Sequence, residues 1–283
     1  MVSIGIQTFT IQSKMYYDPN GVLAELSKAG YEYLEIAGTG NDTIEAFSER
    51  LRIHELKAKG AHICSLENDL QEIKEIIDEH NRNLPDLEWL VFFRGFSTPQ
   101  DTSIAQIKER FREYSNKMQK IREMVKTRQQ LVYHLYPQDF APIDSRNNKP
   151  IFAFDSLPES TLLQIDNYFT DCIGFKLNSY LEDRLRSKSN DASRRTEYPN
   201  EIHSLHLSFK SSSGDRLPIT EADIKKTRYG RDFKGKFEKM LHLASSLGCS
   251  RYIVETDDIG DDTTGLCESV TQIHEALKKG EVK

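Results

Sequence analysis

The sequence has no run of about 18 apolar residues, so no membrane-spanning helix is expected. It has no basic excess: 38 Lys and Arg stand against 44 Asp and Glu, a formal net charge of −6. Non-specific nucleic-acid binding draws on a cationic surface that releases counterions, so nucleic acid is not an expected partner. Cysteine is scarce. Cys64, Cys172, Cys249 and Cys267 lie far apart with no C-x-x-C pair, which argues against a disulfide framework and suits reduced, buried thiols in a cytoplasmic protein. The segment Met1 to Gln7 has neither a basic nor an apolar run, so no export signal is expected. A G-x-x-x-x-G-K phosphate loop is missing, and Gly38-Thr39-Gly40 lacks the third glycine of a dinucleotide fingerprint. No linker, low-complexity tract or repeat divides the chain, so residues 1–283 are expected to form one domain.

What is present is an alternation. Aromatic residues make up 10% of the chain and charges of both signs are interspersed, which sets it apart from disordered sequences. Short β-rich runs stand at Ile4–Phe9, Tyr33–Ala37, Ala61–Cys64, Trp89–Phe93, Leu131–His134, Leu162–Asp166, His203–Leu207 and Tyr252–Glu255. Helical patterns fall between them. One begins at Asp18-Pro19 and stops at Gly30. Another covers Thr43 to Lys57 and ends at Gly60, and a third carries Leu70, Ile73, Ile76 and Ile77. The clearest places Ile104, Ile107, Phe111, Tyr114, Met118, Ile121 and Val125 on one face, as an outer helix packing on a sheet would. Short helical pieces are read near Ala153–Leu157 and Tyr180–Arg186. Ser187–Asn200 reads as a polar loop, and Ser208–Asp232 as a long one. Helices follow around Phe237–Ala244 and Val270–Leu277. Eight strand signals alternating with about eight helix signals, over a length typical of one α/β barrel, predict a single (β/α)8 TIM barrel.

In such a barrel the active site lies at the C-terminal ends of the strands. The ionisable residues closing those strands are Glu35, His62, His134, Asp166, His206 and Glu255. Buried together, three imidazoles and three carboxylates are costly unless paired or bound to a metal, and the mixture suits a divalent transition metal. Singly, each has an ordinary structural explanation; their joint placement makes the case. His203, an odd number of residues from His206, is expected to face the outer helices. His54, His242 and His274 fall on helices as surface or interface residues, and Asp257 and Asp258 in a loop.

At these residues the chain resembles the sugar phosphate isomerase/epimerase group of xylose-isomerase-like TIM barrels, whose relatives include inosose dehydratase and tagatose 3-epimerase. Ile4–Phe9, Asp18–Gly21 and Ala29–Gly38 are similar to the family's opening strand, helix and second strand. Tyr133–Phe140 resembles its Tyr-His-Asn-His segment, Gln164–Phe169 the strand supplying a metal-binding Asp, Leu205–Leu207 the His-Leu-Lys-Asp strand, and Tyr252–Asp257 the last strand with its liganding Glu. The resemblance implies a divalent metal (Mn, Zn, Co, Fe or Mg) on His134, Asp166, His206 and Glu255. It implies proton transfer by Glu255, with His134 as a second candidate, and contacts to substrate from Glu35 and His62. The implied reaction is isomerisation or epimerisation of a sugar or sugar phosphate, or dehydration of a keto-inositol. All begin with removal of the proton next to a carbonyl. The implied partner is a small sugar or polyol, and homo-oligomerisation stays open.

The chain also departs from the pattern. Leu135 and Tyr136 replace the Asn and second His of the fifth strand, Ser208 and Phe209 the Lys and Asp after His206, and Phe169 a further His. These losses support an alternative, a catalytically weakened barrel that binds or regulates. An endonuclease-like role has only the cluster Arg184, Arg186, Lys188, Arg194 and Arg195 behind it, against the acidic balance.

Overall fold

The computed structural model describes residues 2–94, 103–136, 144–146, 149–151, 153–158, 160–169, 181–182, 201–210, 216–220, 230–259 and 263–278. Eight parallel strands close into a barrel: β1 (Ser3–Gln7), β2 (Tyr33–Ile36), β3 (Ala58–Ser65), β4 (Trp89–Phe93), β5 (Gln130–Leu135), β6 (Thr161–Phe169), β7 (Ile202–Lys210) and β8 (Arg251–Val254). They pair in chain order, and β8 returns to β1 through Ile4↔Tyr252 and Ile6↔Val254. Strands in this setting are covered on both faces, which explains why Trp89, Leu90, Val91 and Phe92 are all fully buried. The (β/α)8 TIM-barrel expectation is met.

The helices begin where the local chemistry provides caps. In α1 (Gln12–Tyr17) and α2 (Pro19–Ala29), Asp18 separates the two and accepts from the Gly21 N–H at 2.9 Å, with Pro19 opening α2. Gly30 ends α2 at φ 92°, a left-handed conformation that glycine adopts without strain. Thr43 caps α3 (Ile44–Ile53), Asp69 caps α4 (Leu70–Asn83), and Ser103 with Gln106 forms a reciprocal capping box on α5 (Ile104–Met124). The α5 stripe packs inward at Phe111, Tyr114, Met118 and Ile121, the outer-helix role expected of it. Helices α6 (Gly230–Ser246) and α7 (Thr264–Lys278) complete the described set. No helix among the described residues is long and apolar enough to cross a membrane.

Several boundaries differ from the sequence reading. The helix expected to reach Lys57 stops at Ile53, and Gly60 lies inside β3 rather than ending a helix. Gly60 has a steric role in the strand instead. A Cβ on Gly60 would overlap the Trp89 indole, and one on Gly5 the Tyr33 ring, so these glycines leave room for two aromatic rings inside the barrel. Tyr33, Trp89, Val91, Val132 and Ile253 form that inner core, separate from the larger core between strands and helices. The expected Ser208–Asp232 loop is also partly ordered. β7 runs on to Lys210, Arg216–Leu217 adds an antiparallel strand to it, and α6 begins at Gly230. A hairpin of Asp144–Arg146 with Lys149–Ile151 was not anticipated. Ser187–Asn200, Cys172 and the basic cluster Arg184 to Arg195 lie outside the described residues.

His203 corrects a stated expectation. The β6–β7 register steps from Leu163↔Ile202 to Gln164↔Ser204, leaving His203 as an extra residue in a bulge. The bulge turns its ring inward, 4.8 Å from the Trp89 ring, instead of toward the outer helices. Strict alternation fails at that point because two residues occupy one step of the ladder.

Candidate functional site

Alternation along the strands brings polar side chains to the carboxyl-terminal mouth, above the apolar inner core. The odd-numbered strands β1, β3, β5 and β7 contribute Gln7, His62, His134 and His206. Even-numbered β2 and β6 contribute Glu35 and Gln164, and Glu255 directly follows β8. The three imidazoles stand against one another, with ring centroids 5.3 Å (His62–His134), 4.9 Å (His134–His206) and 5.9 Å (His62–His206) apart.

Glu35 is the hub and is fully buried. Its Oε1 lies 2.8 Å from His62 Nε2, 2.9 Å from His206 Nε2 and 3.4 Å from the Gln7 amide nitrogen. Its Oε2 accepts from Gln164 Nε2 at 2.7 Å and Trp89 Nε1 at 3.0 Å. Burial by itself would raise the Glu35 carboxyl, but the charges and hydrogen bonds of His206 and His62 outweigh it and hold the group well below the usual carboxylate range. His206 is bracketed on its other side by Glu255, whose Oε2 lies 2.5 Å from His206 Nδ1. Burial opposes the imidazolium, yet the two carboxylates push it up to about 10. Glu255 in turn contacts Arg216 through Oε1. Burial would raise its carboxyl, but His206 and Arg216 hold it down at about 2. Burial lowers His62, although Glu35 pulls the other way.

The candidate residues therefore separate. Glu35, His62, His134, His206 and Glu255 are joined in one contiguous network. Asp166 pairs with His206 across the β6–β7 ladder, and its side chain lies outside the described residues. Sequence reasoning missed Gln7, Trp89, Gln164, Ser204 and Arg216. The signal for Gln7 and Gln164 was their parity, two residues before the ends of the runs Ile4–Phe9 and Leu162–Asp166 read from the sequence. Trp89 was visible as the sole tryptophan, in a strand. For Arg216 there was no signal, because its tie to Glu255 joins segments 39 residues apart.

The donor chemistry fits a divalent metal. His62, His134 and His206 each offer a ring nitrogen, and these atoms lie within 4.8 Å of one another. Neutral imidazole nitrogens suit Zn, Mn, Fe or Co, and a nearby carboxylate supplies the balancing charge. His206 lies between two carboxylates, so a cation bound at its Nε2 would compete with a proton there.

No family model matches the chain, and no curated protein matches it. Solved structures match over nearly its whole length. A sugar phosphate isomerase/epimerase from Parabacteroides distasonis aligns at a TM-score of 0.61 and 15% identity, covering 99% of this chain and 98% of that one. A xylose isomerase domain protein from Alicyclobacillus acidocaldarius aligns at 0.56 and 11%, covering 100% and 99%. D-Psicose 3-epimerase from Clostridium cellulolyticum H10, solved with D-tagatose, aligns at 0.52 and 8%, covering 99% and 98%. A family 5 glycoside hydrolase and a family 2 AP endonuclease match as well, so the shared fold alone does not select a chemistry. The resemblance read from the sequence thus holds at the level of architecture: this chain has the fold of the xylose isomerase-like TIM barrels, sugar phosphate isomerase/epimerases among them.

Proposed function

We propose that this barrel is a metal-dependent sugar isomerase or epimerase that moves a proton at the carbon next to a carbonyl. The observation that carries the reading is the convergence of three imidazoles with Glu35 and Glu255 at the barrel mouth. A divalent ion, when bound there, supplies positive charge that polarises the carbonyl and stabilises an enediolate. His62, His134 and His206 offer nitrogens to hold it; the sequence resemblance adds Asp166 and Glu255.

Glu255 is the proton carrier of this proposal. Its contacts with His206 and Arg216 keep it ionised, the state a general base needs. Those same contacts make it a weak base at rest. A substrate oxygen that takes over the Arg216 guanidinium would release Glu255 Oε1 and raise its basicity at the moment of proton removal. Trp89 and Gln164 hold Glu35 from beneath, so the polar layer stays in register above the apolar floor. Sugars, sugar phosphates and polyol-derived ketones are the substrate class.

The test is solvent deuterium exchange. Protein loaded with Mn, Co or Zn is incubated in D2O with a panel of ketoses, aldoses and their phosphates, and exchange is read by proton NMR. We expect exchange at one carbon next to the carbonyl, lowered at least about 100-fold in Glu255→Gln, the lower end of general acid–base contributions. Absence of exchange or turnover across the panel at full metal loading would refute the reading. One observation favours a second reading, a barrel that binds without turnover: both Glu255 oxygens and both His206 nitrogens are engaged within the network itself. That reading predicts sugar binding without deuterium exchange, unchanged in Glu255→Gln.

A further inference from the structure

We propose that the metal site is anchored by three imidazoles, His62, His134 and His206, with Glu255 outside the coordination sphere as the group that orients His206. This rests on the metal-dependent reading above and deepens it. It departs from the donor set implied by the sequence resemblance, which has two imidazoles, includes Glu255 and omits His62.

The first argument is placement. β3, β5 and β7 are alternate strands, and side chains from alternate strands share one layer of a barrel interior. The three rings occupy that layer at centroid separations of 4.9–5.9 Å, and their nitrogens are mutually within 4.8 Å.

The second argument is which nitrogen each ring presents. Gln164 Nε2 donates to Glu35 Oε2 at 2.7 Å and to Ser204 Oγ at 3.1 Å, which fixes the amide so that Oε1 faces His134 Nδ1 at 2.8 Å. An amide oxygen only accepts, so His134 Nδ1 is the donor in this contact, and Nε2 is the nitrogen a metal would use. His206 Nδ1 is likewise committed to Glu255 at 2.5 Å, so Nε2, 2.9 Å from Glu35 Oε1, is the nitrogen that would exchange its carboxylate contact for a metal. A carboxylate holding the far nitrogen of a liganding imidazole is the usual arrangement around bound metals. His62 Nε2 faces the same Glu35 oxygen as His206 Nε2, at 2.8 and 2.9 Å, so an ion held by both nitrogens would take over these two contacts to Glu35.

The third argument concerns Glu255. One of its oxygens is spent on His206 Nδ1 and the other on the Arg216 guanidinium. Moving it onto the ion would break the pair that orients His206 and leave a cation beside a cation. Kept outside, it remains available for proton transfer, and no residue has to act as ligand and base together.

The experiment counts imidazoles. Metal-free protein is loaded with one equivalent of Zn(II), and X-ray absorption at the zinc edge reads the histidine ligands. We expect three in the wild type, two in His62→Asn, and three in Glu255→Gln. Circular dichroism confirms the fold of each variant, and the wild-type count stands without any variant. Two imidazoles in the wild type, unchanged in His62→Asn, would overturn this donor set and leave the metal-dependent reading intact. A wild type that takes up no Zn, Co or Mn would overturn both.

Discussion

Gly60→Ala isolates the tie between the barrel floor and the polar mouth. Gly60 has no left-handed conformation to lose, so alanine meets no backbone strain there, and the effect of the new methyl is purely steric. It would stand 2.7 Å from Trp89 Cζ2 and closer still to Nε1 and Cε2, in a ring packed edge-on against Tyr33 at 5.4 Å between centroids. The indole has to move, and its Nε1 then loses the 3.0 Å bond to Glu35 Oε2. Overpacking costs about 1–3 kcal/mol and a lost hydrogen bond to a charged group about 1.5–3 kcal/mol. The smaller backbone entropy of alanine in the unfolded chain returns about 0.4–1 kcal/mol. The expected net loss is about 2–5 kcal/mol, read from urea unfolding by far-UV circular dichroism. Trp89 is the sole tryptophan, so its fluorescence reports the same displacement in the folded state as a red-shifted emission. A double-mutant cycle with Trp89→Phe supplies the decisive comparison. The smaller ring accommodates the methyl, so the Gly60→Ala penalty measured in the Trp89→Phe background falls to under about 1 kcal/mol. Equal penalties in both backgrounds, or a single-variant loss below about 1 kcal/mol, would refute the reasoning.

Two further outcomes follow from the structure. His203 is buried, and burial first and the Arg251 charge second push its imidazole down to about 3, while the unfolded chain binds the proton near 6.5. The unfolded state therefore binds more protons between those values. Stability is full above about pH 6.5 and falls by up to about 1.4 kcal/mol per pH unit toward pH 3. Urea midpoints across that range should show a shallower slope in His203→Asn, and parallel slopes would contradict the assignment. Asp69 caps α4 through a 2.9 Å bond from the Glu72 N–H, so Asp69→Ala should lower stability by about 1 kcal/mol in chemical denaturation without altering metal content.

The sequence by itself determined the architecture and most of the mouth. Apolar runs of strand length, separated by capped helical segments, admit few arrangements, and the barrel is the one that hides strands such as Trp89–Phe93 on both faces. The inward, mouth-side placement of Glu35, His62, His134, His206 and Glu255 was legible for the same reason: period-two alternation and a known functional end together nominate them, although β3 runs on past His62 to Ser65 and β7 past His206 to Lys210. Where alternation breaks, legibility ended. The bulge at His203 reverses its facing, and Gly60 reads as a helix stop until the Trp89 indole is seen against it. Only the tertiary structure decided how the mouth is wired. The grip of Arg216 on Glu255, the support of Glu35 by Trp89 and Gln164, and the bracketing of His206 by two carboxylates join residues 39 to 171 positions apart. Such partners meet because closing the barrel brings β2, β4, β6, β7 and β8 around one axis. No local pattern encodes which donor reaches which acceptor there.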